Sequence, residues 1–281
     1  VTKITDSDFF LPEIHVTEIQ KELESGRTKP LLVTGICSTT YNRDDYVVKL
    51  YNGAEMTTAS CCFELVAACI ARELDILAPE PVLANLSNEL LTVNRGQPYY
   101  QRLSNSLGIN FGSRYYTQSY QQLTKGYLIP EYMLDQVSSI FAFDFLVSNT
   151  DRGANNKTNM LANGHNILIY DHELAFDFVR TEIFTFSRNT TPWLIRDNID
   201  LPIITKHTFY EYLKEKSSVK QIDFRNFGEK LPKINGNFWS KLSQIVPSAW
   251  SGDNLDTIRN RIDSLIQNRD IFLGELNRVL S

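Results

Sequence analysis

Two stretches of the chain carry most of its chemical potential: FDFLVSNTDRGANNKTNML at residues 143–161 and NILIYDHELAF at residues 166–176. Each is an apolar run that delivers polar groups at its end. Asp151 follows the first run, Asn156 stands five residues later, and Asp171 closes the second run, twenty residues after Asp151. One carboxylate of such a set can orient or deprotonate an attacking hydroxyl. An asparagine oxygen and a second carboxylate can hold Mg²⁺ against phosphates, because that ion prefers hard oxygen ligands. Lys49 ends the strand-like run YVVK, where an ammonium can reach the α- and β-phosphates of a nucleotide. Plainer roles compete with each of these. Asp151 in NTDRG suits a turn, Asp171 a structural cap, Lys49 an edge-strand charge and Glu64 the solvent face of a helix. The two aspartates in matching order behind apolar runs favour the chemical reading.

The elements that must position these residues are legible in outline. LLVTG at 31–35 and YVVKL at 46–50 read as strands joined by a small, polar loop. Phe63, Val66, Ala67, Ile70 and Leu74 recur with a period near 3.6 and predict a helix over residues 57–74, ended by the prolines of ILAPEPV. PVLANL and ELLTV read as a further strand pair, and GINFGSRYY contains one more short strand. Pro130 suits the first turn of a helix whose buried face is Met133, Val137, Ile140, Phe141 and Phe145. Residues 166–170 read as a strand. Near the C-terminus Leu255, Ile258, Ile262, Leu265 and Ile266 form one stripe, with Asp253 placed to cap its start and Leu276 and Leu280 continuing it. Residues 181–252 carry helices with poorly marked ends. The expected class is α+β: a strand-rich part over residues 1–115 that binds nucleotide phosphates, and a mainly helical part over residues 116–281 that bears the catalytic and metal-binding segments. A cleft between two such parts is a usual place for a ligand.

LVSNTDRGANNKTNML followed by LIYDHELAF resembles the catalytic and metal-binding segments of the HipA-like kinases, and CFELVAACIARELDILAPEPVL resembles that family's helix and strand entry. The resemblance covers roughly residues 30–180. It implies a bilobal protein-kinase-like fold with a small β-rich N-lobe and a larger helical C-lobe. It implies ATP and Mg²⁺ as cofactors, Asp151 as catalytic base, and Asn156 and Asp171 as metal ligands. Asn155 and Asn159 are alternatives to Asn156, since the segment behind Asp151 is longer than usual. It also implies Lys49 on the phosphates, with Glu64 holding Lys49 as an ion pair. The loop at residues 35–40, with Gly35 its one glycine, would cover the phosphates. Asn110, Phe111 and Gly112 would lie at the hinge, where backbone groups meet adenine. Family members often carry histidine two residues after the aspartate; Gly153 stands there, closer to the lipid-kinase form. The chain resembles the shorter stand-alone members, without the extra N-terminal subdomain of the HipA toxins.

Composition sets outer bounds. The 281 residues are 42% hydrophobic and 22% charged, an ordinary globular mixture, and the formal net charge is −5. That balance gives no global nucleic-acid surface. Cys37, Cys61, Cys62 and Cys69 form no CxxC pair, so neither a zinc site nor a disulfide framework is expected. No signal peptide or membrane span is legible, and the expected setting is cytoplasmic. His15, His165, His172 and His207 share no ligand spacing, and His172 reads as structural. The expected activity is phosphoryl transfer from ATP to a hydroxyl, with a protein Ser/Thr as acceptor on family resemblance. The alternatives are a small-molecule or lipid-headgroup kinase and a nucleotide-binding regulator with little turnover. The resemblance also suggests an antitoxin-like partner protein; no direct nucleic-acid or membrane contact is expected.

Overall fold

The computed structural model describes residues 2–24, 28–52, 56–116, 120–153, 157–181, 191–219 and 222–281. Five strands come first: β1 (Glu13–Glu22), β2 (Leu31–Cys37), β3 (Arg43–Lys49), β4 (Pro81–Leu86) and β5 (Gly108–Arg114). They close into a barrel in the order β1-β2-β3-β5-β4, antiparallel except where β1 meets β4. Closure removes the free edges an open sheet would expose. Ile14, Val33, Val48, Val82 and Ala84 fill its own apolar core. Space inside is short, and two glycines make room. A Cβ on Gly35 would lie 2.9 Å from Ile14 Cδ1, and one on Gly112 2.9 Å from Val82 Cγ2.

Helix α1 (Thr58–Glu73) runs between β3 and β4. The Thr57 side chain accepts a hydrogen bond from the Ser60 amide and caps its start. Its whole length is buried apart from the first residues, because it packs into the larger core shared with the helical region rather than into the barrel core. The short helices α2 (Asn88–Val93) and α3 (Tyr100–Asn105) separate β4 from β5. Residues 89–93 are therefore helical, not a strand: the Ser87 hydroxyl accepts from the Leu90 amide, and this cap outweighs the β-forming residues of ELLTV.

The rest of the chain is mainly helical. A three-stranded sheet, β6 (Gln121–Gln122), β7 (Met160–Ala162) and β8 (Ile167–Ile169), flanks α4 (Leu134–Leu146), which is preceded by a 3₁₀ turn at Glu131–Met133. Met133, Val137, Ile140, Phe141 and Phe145 are all buried, as their spacing predicts. Short helices follow: α5 (Asp177–Thr181), α6 (Ile195–Asn198), α7 (Leu201–Lys206), α8 (Tyr210–Ser218), α9 (Arg225–Lys230), α10 (Gly236–Ile245) and α11 (Ser248–Ser251). The chain ends in α12 (Asn254–Gln267) and α13 (Arg269–Val279). Ile258, Ile262 and Leu265 bury the predicted stripe, and Leu276 and Leu280 extend it. Asp253 does precede α12, but its backbone is already helical and its side chain makes no cap. No described helix is long and apolar enough to cross a membrane.

Candidate active site

Lys49 is the last residue of β3, and its side chain enters a mostly buried cluster of carboxylates. Its ammonium donates to Glu64 from α1 and to Asp171 just past β8, and to Glu173 Oε2 at 2.9 Å. Burial alone would disfavour the charged ammonium, but Asp171, Glu64 and Glu173 outweigh that and hold the Lys49 pKa well above its ordinary value. Glu64 faces inward. Burial acts to raise its pKa, yet Lys49 and His172 win and bring it to about 2. Glu173 goes the other way. Desolvation outweighs the pull of Lys49, and with the neighbouring charges of Asp171 and Glu64 it lifts the carboxyl to about 7.

Behind this cluster sits the Asp151 segment. Asn159 Nδ2 donates to Asp151 Oδ2 at 3.0 Å, and the Tyr170 amide donates to the Asn159 carbonyl at 3.1 Å. Asp151, Asn159 and the Asp171 turn are thus tied together across twenty residues of sequence. Ser148, Asn159 and Asp171 all adopt left-handed backbone, with φ of 50°, 51° and 64°. Non-glycine residues hold such conformations where the surroundings over-determine them. Desolvation raises the Asp151 pKa, and the Asp171 charge adds to it against the hydrogen bond from Asn159. That shift suits a carboxylate that must take a proton.

The segment is anchored from below by a polar network inside the apolar core. Arg152 Nε donates to Asp144 Oδ2 at 2.5 Å, and Arg152 Nη1 to the Asn159 carbonyl at 2.8 Å. Asn149 Nδ2 donates to Asp144 Oδ1 at 2.9 Å. His207 Nε2 lies 2.9 Å from Asp144 Oδ2, while the Phe209 amide donates to His207 Nδ1 at 3.1 Å. A carboxylate can only accept, so the proton of His207 sits on Nε2. Gly153 explains why no histidine follows Asp151. Its φ is +116°, and a Cβ there would lie 2.2 Å from the Lys206 carbonyl oxygen. The backbone that carries His207 fills the space, and Thr208 N donates to the Arg152 carbonyl at 3.0 Å.

A cavity of about 280 Å³ opens beside Lys49 and Asp171, with Val47, Phe111, Leu168 and Tyr115 on its walls. Apolar walls above a charged floor suit a flat base with an anionic tail. One oxygen from each of Glu64, Asp171 and Glu173 lies within 4.8 Å of the others. These are hard oxygen donors of the kind Mg²⁺ takes.

The structure therefore brings together Lys49, Glu64, Asp151 and Asp171. It does not do so for every expected residue. Asn156 and Asn155 lie outside the described residues, and Asn159 is the asparagine that reaches Asp151. Gly35 is inside β2, paired with Val16 and Asp44, because β2 runs on to Cys37; the loop begins only after it. Asn110, Phe111 and Gly112 form the middle of β5, between β3 and β4, so their backbone serves the barrel ladders rather than a hinge. The Asn110 amide is spent on Tyr51, Ser106 and Gly108, and of the three only Phe111 lines the cavity.

Comparison with known proteins bears on this arrangement. The family model described as HipA-like kinase matches residues 16–191, more than half of the chain. The chain belongs to the HipA-like kinase family. In fold, this HipA-like kinase is similar to the crystal structure of a proinflammatory kinase, CtkA, of Helicobacter pylori, with a TM-score of 0.54 and 16% sequence identity over 96% of this chain and 98% of that one. No curated protein matches it in sequence. Three residues of this arrangement escaped the sequence reading. Glu173 stands in plain view in DHELAF but carries no spacing signal of its own. Asp144 had one: a lone carboxylate in FAFDFL, which an apolar helix buries only with a partner. His207 is brought in from 63 residues away and has no local signature.

Proposed function

We propose that the protein is a bilobal, ATP- and Mg²⁺-dependent kinase acting on a protein Ser/Thr hydroxyl, with the lobes divided near residues 115 and 116. The observation that carries the reading is the convergence of Lys49, Glu64 and Asp171 on one floor of the cavity, next to Asp151 and Asn159. Glu64 holds Lys49 in line, and Lys49 orients the nucleotide phosphates. Asp151 accepts the proton of the acceptor hydroxyl as its oxygen bonds to the γ-phosphorus and the bond to the bridging oxygen of ADP breaks. Asp171 and Asn159 are the residues that would hold a divalent cation, with Asn156 as the other asparagine in reach by sequence. When bound, that cation offsets the negative charge of the phosphates. Arg152, Asp144 and His207 keep the Asp151 segment in place from beneath. The protein acceptor and an antitoxin-like partner belong to this reading on family resemblance.

The test is incubation of the protein with γ-labelled ATP and Mg²⁺, alone and with cell extract, beside Asp151→Asn. The reading expects label on protein with the wild type and none with the variant. ADP release without labelled protein would move the acceptor to a small molecule. ATP binding without any turnover would leave a nucleotide-binding regulator.

A further inference from the structure

A lysine ammonium has three N–H donors, and among the described residues Glu64, Asp171 and Glu173 take all three from Lys49. No donor remains for a phosphate oxygen, so one carboxylate must give way when a nucleotide enters. Glu64 is poorly suited: its side chain is 3% exposed and lies against His172. Asp171 is wanted for the cation. Glu173, two residues beyond Asp171, is 17% exposed, against 3% for Glu64, and is the carboxylate left once Glu64 and Asp171 are set aside.

Charge sharpens the point. Three carboxylates face one ammonium in a largely desolvated space, and a bare nucleotide triphosphate would bring more negative charge to it. A triphosphate that arrives with a divalent cation brings the compensation with it. We propose that Glu173 occupies the phosphate's place on Lys49 in the empty protein and, by its negative charge, makes the site select metal-bound over metal-free nucleotide. It is a specificity-determining residue rather than one that touches the reacting atoms. The inference rests on the ATP-binding reading given above.

The experiment measures ATP affinity by calorimetry well above pH 7, where Glu173 carries its charge, in EDTA and in Mg²⁺, for the wild type, Glu173→Gln and Glu173→Ala. Glu173→Gln keeps the shape and removes the charge; Glu173→Ala is the second probe should the amide disturb packing. The expected result is that both variants bind metal-free ATP about tenfold tighter or more than the wild type, the order that one unit charge at close range supplies. Their affinity in Mg²⁺ should change much less. Unchanged or weaker binding in EDTA, or equal tightening in both conditions, would overturn the role of Glu173 alone. Failure of the wild type to bind ATP even with Mg²⁺ would overturn this inference and the kinase reading together.

Discussion

At the residue scale, the site is held by charges that cannot be removed singly. Asp144 is the clearest case, since it lies in the core and accepts from Arg152, Asn149 and His207. Asp144→Asn leaves the Arg152 guanidinium buried without its counter-charge, and we expect a loss of about 3–5 kcal/mol in urea unfolding. The acid limb should change too. Burial works to raise the Asp144 pKa, but Arg152 and His207 outweigh it and hold the pKa below the ordinary 3.8. Its contribution is therefore complete above that value and is lost as pH falls through the lower folded pKa. Unfolding followed below pH 4 should show a shallower acid dependence in Asp144→Asn than in the wild type. Lys49→Met is the matching change in the carboxylate cluster. It should abolish ATP binding and also lower stability, by about 3 kcal/mol, because Glu64 is buried beside it. Much of this scale was legible. Asp151, Asp171, Lys49 and Glu64, singled out from residue type, order and family likeness, do lie together. Glu173 and His207 were not, because a partner set by tertiary packing leaves no mark on local spacing.

At the element scale, the positions of these residues depend on a few local devices. Thr57 caps α1, the helix that presents Glu64. Thr57→Ala should cost about 1 kcal/mol, read as a lower melting temperature, with weaker ATP binding as Glu64 loses its register. Gly153 is tighter still, since any side chain there meets the Lys206 carbonyl. Gly153→Ala should destabilise by about 1–3 kcal/mol from backbone strain alone, and more as the segment bearing His207 is pushed aside. Proteolysis and thermal unfolding would show it. The helices α1, α4 and α12 were legible because their apolar stripes are long enough to fix a period. Two elements were not. β1 (EIHVTEIQKE) buries little beyond Ile14 and Val16, so its alternation fades into polar residues. ELLTV has the composition of a strand, and only the Ser87 cap makes it a helix. The hinge assigned to residues 110–112 failed for a related reason: a strand interior and a strand end look alike when neither neighbour is known.

At the scale of the whole molecule, two apolar cores divide the work. The barrel has its own core, whereas α1 packs into the larger one with α4 and the C-terminal helices. Phe63 of α1 meets Phe176, just beyond Glu173, edge to face with ring centres 5.7 Å apart. Glu64 and the Asp171 turn are thus steadied by the same core. Asp75, just past α1, pairs at the surface with Lys3 at 2.5 Å and Lys233 at 2.9 Å. With the Asp75 side chain 40% exposed, Asp75→Ala should cost no more than about 1 kcal/mol in urea unfolding. Closure of the strands into a barrel was beyond the sequence, since the pairing of β1 with β4 joins positions 70 residues apart. The mixed class and the helical C-terminal region were visible from the change of period alone. The central claim is that this assembly transfers the γ-phosphoryl group of ATP with Asp151 as base. The most direct measurement is ATP turnover by the wild type and Asp151→Asn, with ATP affinity determined on the same samples. The account predicts near-equal affinity and a turnover lower by about a hundredfold or more in the variant. Equal turnover in the two proteins, or no ATP binding by either, would contradict it.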